Sequence, residues 1–270
     1  MSPPLPPVSP EVLDPVLRRG DLEVEGRLVD ASNATLKCVA SLDGVEVSCV
    51  YKPRRGERPL WDFPTGTLGE REVAAYEVSA ASGWDLVPVT VWREEGRFGP
   101  GMCQAWVDVD ERSALVDVVP RAAVPPGWRD VVDAEGPGGA PVSLVHADNG
   151  DLRRLAVLDA VINNADRKGG HVLVGTDGRT YGIDHGVTFH DEPKLRTVLW
   201  GWAGEPLGDE LEGDLERLLD LLDGSLGTEL AGLLSRAEVR ATVDRAHRLH
   251  ARAVFPYPGE GWPSLPWPAF

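Results

Sequence analysis

Two Asp-Gly pairs, each lying between runs of alternating apolar residues, constrain the fold of this chain more than any other feature. Asp43-Gly44 separates the run at residues 36–40 from the run at residues 45–51, and Asp177-Gly178 lies in a similar setting. An Asp-Gly pair in this setting is the strongest short signal for a β-hairpin. The sequence therefore predicts a second hairpin at residues 177–178 and a first group of antiparallel strands at about residues 22–29, 35–42 and 45–52.

The turn at residues 177–178 determines which side chains face one another across the second hairpin. With those two residues at the centre of the turn, counting outward places His171 opposite Asp184. Opposed side chains have Cβ atoms about 4.5–5.5 Å apart and share a face. The other face, which we expect to be buried, carries Val172, Val174, Tyr181 and Ile183. The register thus predicts an imidazole beside a carboxylate, a pair that can hold one divalent ion.

A further carboxylate, that of Asp166, precedes this hairpin in a turn containing Lys168, Gly169 and Gly170. Phosphoryl transfer needs such a combination, because one carboxylate orients or deprotonates the attacking hydroxyl while metal ions neutralise charge on the phosphate. The structural alternative is a hairpin with a charged end and a surface His–Asp pair.

Helical spacing of apolar residues recurs in both halves of the chain. Thr67 followed by Glu70 is a capping-box pattern, which predicts a helix from Thr67 to about Ala81. Residues 108–150 contain Pro- and Gly-rich stretches that are typical of loops. The remaining predicted elements are strands at residues 86–92 and 102–107 and helices at residues 151–163, 211–222, 228–236 and 237–253.

These elements predict an α+β chain in two parts. Residues 15–107 are expected to form a sheet with one helix, and residues 108–254 a mostly helical part around the second hairpin. Residues 1–14 are expected to be a flexible Pro-rich leader. Residues 255–270, rich in proline and aromatic residues, are expected to lie along the surface.

The formal net charge of −16 and the pI near 4.8 narrow the range of partners. Nucleic acids and anionic lipid surfaces attract positive proteins, so neither is expected as a principal partner. The sequence lacks a signal peptide and a run of ~20 apolar residues, so no integral membrane association is expected. The 3 widely spaced cysteines give no disulfide framework, which favours a cytoplasmic protein.

Three stretches of the sequence resemble a bacterial family usually described as phosphatidylinositol-kinase-like. They are YKPRRGERPLWDFPTGTLGEREVAAYEVS, NNADRKGGHVLVG and PKLRTVLWGWAGEPL, and the resemblance extends from about Leu22 to His250. That family is similar to the phosphatidylinositol 3/4-kinases and the HipA-like kinases of the protein kinase-like superfamily. The resemblance implies a two-lobed protein kinase-like α+β fold, with an antiparallel-sheet N-lobe and a mostly helical C-lobe. It also implies an ATP-dependent kinase that uses Mg²⁺ or Mn²⁺.

For the nucleotide phosphates, the resemblance implies a lysine–glutamate pair. Lys52 matches the lysine that holds the α and β phosphates, and Glu72 matches the helix glutamate that pairs with it. Glu70 and Glu77 are the alternatives to Glu72.

Five other residues are assigned to ATP by the same resemblance. Ser32, Asn33 and Thr35 occupy the place of a phosphate-binding loop, where they offer hydrogen-bond donors to phosphate oxygens. Backbone groups near Gln104 and Trp106 occupy the place where these kinases contact adenine, although a core position is the alternative for Trp106.

For the chemical step, the resemblance implies roles around the second hairpin. Asp166 matches the catalytic aspartate, Lys168 is placed to touch the γ-phosphate, and Asn164 braces the loop. His171 stands where these kinases usually carry a metal-binding asparagine, and Asp184 matches the metal-binding aspartate. An imidazole in this place favours softer metals than an amide oxygen does.

The phosphate acceptor remains open between a protein, a small alcohol and an inositol lipid. Residues 194–207 are expected to form either an acceptor surface, through Lys194, Arg196 and the Trp200/Trp202 pair, or an aromatic cluster packed on the helical part.

Two other functions are consistent with the same residues. The histidine at position 171 motivates a pseudokinase or nucleotide-binding scaffold, with AMP transfer as a variant. His171, Asp184, His185 and His190 together motivate a metal-dependent hydrolase, which would leave Lys52 without a role.

Overall fold

The computed structural model describes residues 9–28, 35–57, 60–63, 67–260 and 263–270. The described residues form six α-helices and ten β-strands, and the strands make antiparallel sheets of five, three and two strands. This architecture confirms the α+β prediction. None of the described helices combines the length and the apolar character needed to cross a membrane.

The five-stranded sheet begins with the predicted hairpin. Leu42 pairs with Val45 across Asp43 and Gly44, whose φ angles of 50° and 80° suit a two-residue hairpin turn. The strand order is β1-β2-β3-β5-β4. The strands are β1 (Asp21–Arg27), β2 (Leu36–Leu42), β3 (Val45–Pro53), β4 (Thr90–Arg93) and β5 (Gly101–Ala105).

The last two strands of this sheet differ from the predicted residues 86–92 and 102–107. β4 begins only at Thr90, because Pro88 has no N–H to contribute to a strand ladder. β5 ends at Ala105, although the Trp106 N–H still donates to the carbonyl of Ser48 in β3 (2.9 Å). By Asp108 the chain has reached the second hairpin, where the Thr176 N–H donates to the Asp108 carbonyl (2.7 Å).

Helix α1 (Pro10–Arg19) packs on the same sheet, so the prediction of a flexible leader is wrong from Pro10 onward. Proline suits the first turn of a helix, where the N–H has no helical partner. Val16 and Leu17 are buried in a cluster with sheet residues such as Cys38 and Tyr51. This packing explains why a Pro-rich stretch adopts a helix here.

Helix α2 (Leu68–Ala81) forms where predicted but does not begin with a capping box. A capping residue normally has an extended backbone, whereas Thr67 has a left-handed one (φ 64°). Its side chain therefore makes no capping bond to the helix. Instead, the Gly69 N–H donates to the carboxylate of Glu57 (2.8 Å), and Glu70 pairs with Arg54 at 3.5 Å.

Residues 108–150 contain a three-stranded antiparallel sheet where the sequence predicts loops. Its strands are β6 (Val116–Pro120), β7 (Trp128–Glu135) and β8 (Pro141–Ala147), in the order β6-β8-β7. The Pro- and Gly-rich stretches are the connections between these strands. Because β7 is mostly exposed on both faces, its sequence lacks the apolar alternation that identifies a strand.

The helical part contains α3 (Gly150–Ile162), α4 (Asp209–Leu222), α5 (Ser225–Leu230) and α6 (Arg236–Arg252). The first two agree with the predictions, whereas the predicted helix at residues 228–236 extends too far. Ser235 caps α6 instead: its side chain accepts from the Glu238 N–H, and Glu238 bonds back to the Ser235 N–H. This Ser-x-x-Glu capping box separates α5 from α6.

The buried apolar residues form two clusters. The first lies between α1 and the five-stranded sheet. The second joins the helical part to the three-stranded sheet, and it includes Ala74, Ala75 and Val78 of α2. Tyr76 of the same helix packs against both clusters, so α2 packs on both parts of the molecule.

Candidate active site

Lys52, near the end of β3, connects the five-stranded sheet to the rest of the site. Its Nζ lies 2.6 Å from Oε1 of Glu72 on α2 and 3.1 Å from Oδ1 of Asp184. Glu72 is therefore the glutamate of α2 that reaches Lys52, since Glu70 binds Arg54 instead. Residues far apart in the sequence thus meet around one ammonium group.

The three charges alter one another's protonation. Burial disfavours the ammonium of Lys52, but the carboxylates of Asp184 and Glu72 outweigh that effect and raise its pKa. The same ammonium holds the pKa of Asp184 well below its usual range. Burial raises the pKa of Glu72 to about 7 despite Lys52, because only 3% of its side chain is exposed. At neutral pH Lys52 and Asp184 are therefore charged.

The second hairpin has a longer turn than predicted. The Gly175 N–H donates to the carbonyl of Arg179 (2.9 Å), which closes a loop of residues 176–178. Gly178 lies in the left-handed region at φ 81°, as in a three-residue hairpin loop. The predicted two-residue turn is wrong, and the register is displaced by one residue.

The displaced register changes how His171 and Asp184 meet. His171 lies opposite Ile183, whose N–H donates to the His171 carbonyl (3.0 Å), and not opposite Asp184 as predicted. Asp184 nevertheless lies with its Oδ2 3.5 Å from Nε2 of His171. Its left-handed backbone (φ 59°) turns the chain immediately after the hairpin. The two side chains thus come together by a different route from cross-strand pairing.

The buried face of the hairpin also changes with the register. The strands are β9 (Val172–Val174) and β10 (Thr180–Gly182), and Val172 pairs with Gly182. Val172 is buried, whereas Val174, Tyr181 and Ile183 are only partly buried. The prediction that all four share a buried face is wrong, because a slip of one residue exchanges the faces of a strand.

Asp166 lies in the segment of residues 163–171, termed here the Asp166 loop. Its carboxylate lies 3.3 Å from Nζ of Lys168 and 3.9 Å from a guanidinium nitrogen of Arg196. Burial raises the pKa of Asp166, and the charge of Asp184 acts in the same direction, while Lys168 and Arg196 oppose it. Asn164 braces the loop, since its Oδ1 accepts from the Asp166 N–H (3.0 Å).

A buried ion pair beneath the Asp166 loop was not identified from the sequence. Asp159 of α3 accepts two bonds from Arg167, each 2.9 Å long, and both side chains are fully buried. Asn164 donates to the same carboxylate at 2.9 Å. Arg167 also donates to the carbonyl of Ile183 (2.9 Å), which connects the loop to the hairpin. The signal available in the sequence was an aspartate at an apolar position of the predicted helix.

The five other residues predicted to bind ATP are not brought together as Lys52, Glu72 and Asp184 are. Ser32 and Asn33 lie outside the described residues. Thr35 is described and buried. Gln104 lies in β5, an interior strand of the sheet, where its side chain donates to the Thr90 hydroxyl (2.8 Å). The Trp106 N–H donates to the carbonyl of Ser48 (2.9 Å), so this donor is not available to adenine.

Residues 194–207 show the aromatic packing that the sequence left open. Trp200 and Trp202 are buried, and the Trp202 ring stacks on Phe255 with centroids 5.6 Å apart. The Lys194 N–H donates to the side-chain oxygen of Asn163 (2.9 Å), and the Lys194 Nζ lies 3.3 Å from the carboxylate of Asp62. The two tryptophans therefore belong to the core and not to an acceptor surface.

Comparison with known proteins identifies a relative of this chain. No protein-family model matches it. Protein Rv2133c of Mycobacterium tuberculosis is 49% identical over 264 residues, which cover 94% of each chain. The chain belongs to the family of Protein Rv2133c.

Two solved kinases are similar in structure to this member of the Rv2133c family. The Golgi casein kinase gives a TM-score of 0.47 at 14% identity, covering 90% of this chain and 74% of that kinase. The Helicobacter pylori proinflammatory kinase CtkA gives a TM-score of 0.45 at 8% identity, covering 88% of this chain and 94% of that kinase. Because both TM-scores are below 0.5, the function must be argued from the geometry of the site itself.

His171 and Asp184 are the residues of this Rv2133c-family chain that fit a divalent cation. Burial lowers the pKa of His171 to about 4, so its imidazole is neutral at pH 7 and can donate a lone pair to a metal. Among the described residues, no three His, Cys, Asp or Glu side chains converge as metal ligands. A cation here would therefore have two protein ligands, a carboxylate and an imidazole, and phosphate oxygens would complete its coordination.

The other two histidines considered for a hydrolase have different surroundings. His185 is fully buried with Nε2 against the guanidinium of Arg167, and burial lowers its pKa well below the usual range. The ring of His190 contacts Phe63 edge-on, with centroids 5.3 Å apart. His185 and His190 therefore do not join His171 and Asp184 in a hydrolytic metal centre with four ligands.

Proposed function

We propose that this chain is an ATP-dependent phosphotransferase with an alcohol group as acceptor. The observation that carries the proposal is the contact of the Lys52 ammonium with Glu72 (2.6 Å) and Asp184 (3.1 Å). Glu72 fixes the lysine while leaving protons of the ammonium for phosphate oxygens. A hydrolytic metal centre would give this partly buried lysine no task.

In this proposal each site residue has a defined task. Lys52 binds the α and β phosphates, and Asp166 orients the acceptor hydroxyl and receives its proton. The raised pKa of Asp166 improves its match to that task, because proton acceptance is most effective when the pKa of the base approaches the working pH. Lys168, whose Nζ lies 3.3 Å from the Asp166 carboxylate, would contact the γ-phosphate.

His171 and Asp184 would hold Mg²⁺ or Mn²⁺ in the same proposal. When bound, the cation supplies charge neutralisation on the phosphate oxygens. The nucleotide would lie between the parts formed by residues 15–107 and 108–254, with the acceptor on the side of Asp166. The proposed acceptor is a hydroxyl group of a protein, a small alcohol or an inositol lipid.

The proposal is tested by nucleotide binding and by transfer of labelled phosphate. Saturating ATP with Mg²⁺ or Mn²⁺ at about 100 times its dissociation constant should stabilise the wild type by about 2.7 kcal/mol. In Lys52→Met this stabilisation should be lost. The transfer of γ-labelled phosphate, to water or to the protein itself, should fall about 10²–10³-fold in Asp184→Asn.

The matched control is Asp130→Asn, which changes an exposed aspartate of β7. It should behave as the wild type in both measurements. Equal transfer by the wild type and Asp184→Asn would overturn the proposal. Binding of ATP without transfer would identify a nucleotide-binding scaffold, and transfer of α-labelled phosphate would identify AMP transfer.

A further inference from the structure

The segment of residues 263–270 contacts the Asp166 loop directly. The Gly169 N–H donates to the carbonyl of Ala269 (2.8 Å). A Cβ added at Gly169 would come within 2.8 Å of three atoms of the Phe270 ring. Gly169 is three residues after Asp166 and adjoins Lys168, so the aromatic ring lies against the turn that carries both proposed catalytic side chains.

The glycine at position 169 is explained by this contact and not by its backbone conformation. Gly169 is not among the residues with positive φ, so a larger residue could adopt its backbone angles. It is buried, however, and the Phe270 ring occupies the place where a side chain would begin. The sequence therefore needs glycine at this position because Phe270 packs against it.

The same segment is also attached to the chain on the other side of Asp166. The carbonyl of Ser264 accepts from the Thr197 N–H (3.1 Å) and from Nε1 of Trp200 (2.9 Å). Thr197 follows Arg196, whose guanidinium faces the Asp166 carboxylate at 3.9 Å. The segment thus contacts both stretches of chain that surround this carboxylate.

The two stretches are themselves paired. The Arg196 N–H donates to the carbonyl of Asn164 (2.9 Å), and the Arg167 N–H donates to the carbonyl of Arg196 (3.0 Å). Leu265 and Ala269 pack against the larger apolar cluster, which anchors the segment to the core. Residues 263–270 therefore form an outer layer over a paired loop and are not a loose surface strand.

We propose that Phe270 is a positioning residue for Asp166 and Lys168, acting through its packing on Gly169. The proposal rests on the proposed phosphotransfer, since it assigns Phe270 a task in that reaction. Phe270 itself would touch neither nucleotide nor acceptor. It holds the turn at residues 168–170, so that Lys168 stays beside the carboxylate that receives the proton.

The first test measures the loop without any reaction. In Phe270→Ala, hydrogen exchange of the amides at residues 168–171 should become about fivefold faster, because the hydrogen bond from the Gly169 N–H to Ala269 is weakened. The control is Phe98→Ala: Phe98 is exposed to a similar extent (42% against 49%) but lies in the connection between β4 and β5. Unchanged exchange in Phe270→Ala would overturn the proposal.

The second test separates positioning from general stability. In Phe270→Ala, kcat for γ-phosphate release from Mg-ATP should fall about 10–100-fold, because small displacements of catalytic groups have effects of this size. The KM for ATP should stay within about twofold, since Lys52 and Asp184 are untouched. A rise in KM with unchanged kcat would contradict the assignment.

A double variant tests the contact itself. Gly169→Ala should lower kcat by forcing its Cβ into the ring, whereas Gly169→Ala combined with Phe270→Ala should be no worse than Phe270→Ala alone. Additive losses would show that the two residues do not act through each other. If the wild type releases no γ-phosphate although its amides at residues 168–171 are protected from exchange, the proposed function fails. The packing of residues 263–270 on the Asp166 loop is then still supported. If phosphate is released but exchange does not respond to Phe270→Ala, only the positioning proposal fails.

Discussion

The buried pair of Asp159 and Arg167 allows a quantitative prediction about the base of the site. Asp159→Asn keeps the shape of the side chain but removes its charge, so the guanidinium of Arg167 loses its only carboxylate partner among the described residues. Both side chains have 0% exposure, and solvent cannot compensate for the loss. Removing one partner of a buried ion pair typically costs about 3–5 kcal/mol.

This cost is large for a protein of ordinary stability. Folded proteins are stable by about 5–15 kcal/mol, so Asp159→Asn should lose a substantial fraction of the free energy of unfolding. The isosteric replacement creates no cavity, which leaves the charge and the three hydrogen bonds to Asp159 as the source of the loss. The measurement is the urea midpoint and slope of unfolding at pH 7.

The matched control lies on the same helix. Asp151 of α3 pairs with Arg154 at 3.2 Å, but 45% of the Asp151 side chain is exposed. Exposed pairs of this kind contribute about 0–1 kcal/mol, so Asp151→Asn should have little effect. If the two variants lose equal stability, the reasoning from burial is wrong.

Two further predictions concern other parts of the molecule. Arg71, which is buried and donates to the carbonyl of Thr188 (2.6 Å) and to Glu238, anchors α2 next to Glu72. Arg71→Met should therefore reduce stability by about 1–3 kcal/mol, seen as a lower Tm, and an unchanged Tm would contradict this anchoring. His146 is fully buried, its Nε2 accepts from the Gly201 N–H (3.0 Å), and burial lowers its pKa. The unfolded state therefore binds a proton at His146 more readily than the folded state does. The free energy of unfolding should be unaffected by this group above pH ~6.5 and should fall at lower pH by at most about 1.4 kcal/mol per pH unit. His146→Gln should reduce this slope in urea unfolding at pH 7 and pH 5, and equal slopes would refute the assignment.

The parts of the fold that the sequence predicted are those governed by local rules. The Asp43-Gly44 hairpin was predicted because the pair supplies two residues with positive φ at a fixed place. Helices α3 and α4 were predicted because their apolar residues recur at helical spacing. Lys52, Glu72 and Asp184 were singled out by resemblance, and the structure brings their side chains together.

The predictions that were wrong are those in which one local sequence pattern is compatible with two structures. Asp177-Gly178 fits both a two-residue turn and a three-residue loop with Gly178 in last place, and a one-residue difference changes every pair of the hairpin. The capping patterns at Thr67 and Ser235 are alike in sequence, yet only the second forms a capping box. The contact of Phe270 with Gly169 has no local signal, because it joins residues a hundred positions apart.

Helix α2 shares its apolar side chains between two clusters, which has a consequence for the charges at its N-terminal half. Ala74, Ala75 and Val78 are held by the cluster of the helical part, whereas Tyr51, next to Lys52, is held by the cluster of the five-stranded sheet. The contact between the Lys52 ammonium and the Glu72 carboxylate, 2.6 Å long, therefore depends on how the two clusters are aligned. A displacement of one cluster relative to the other would lengthen this contact.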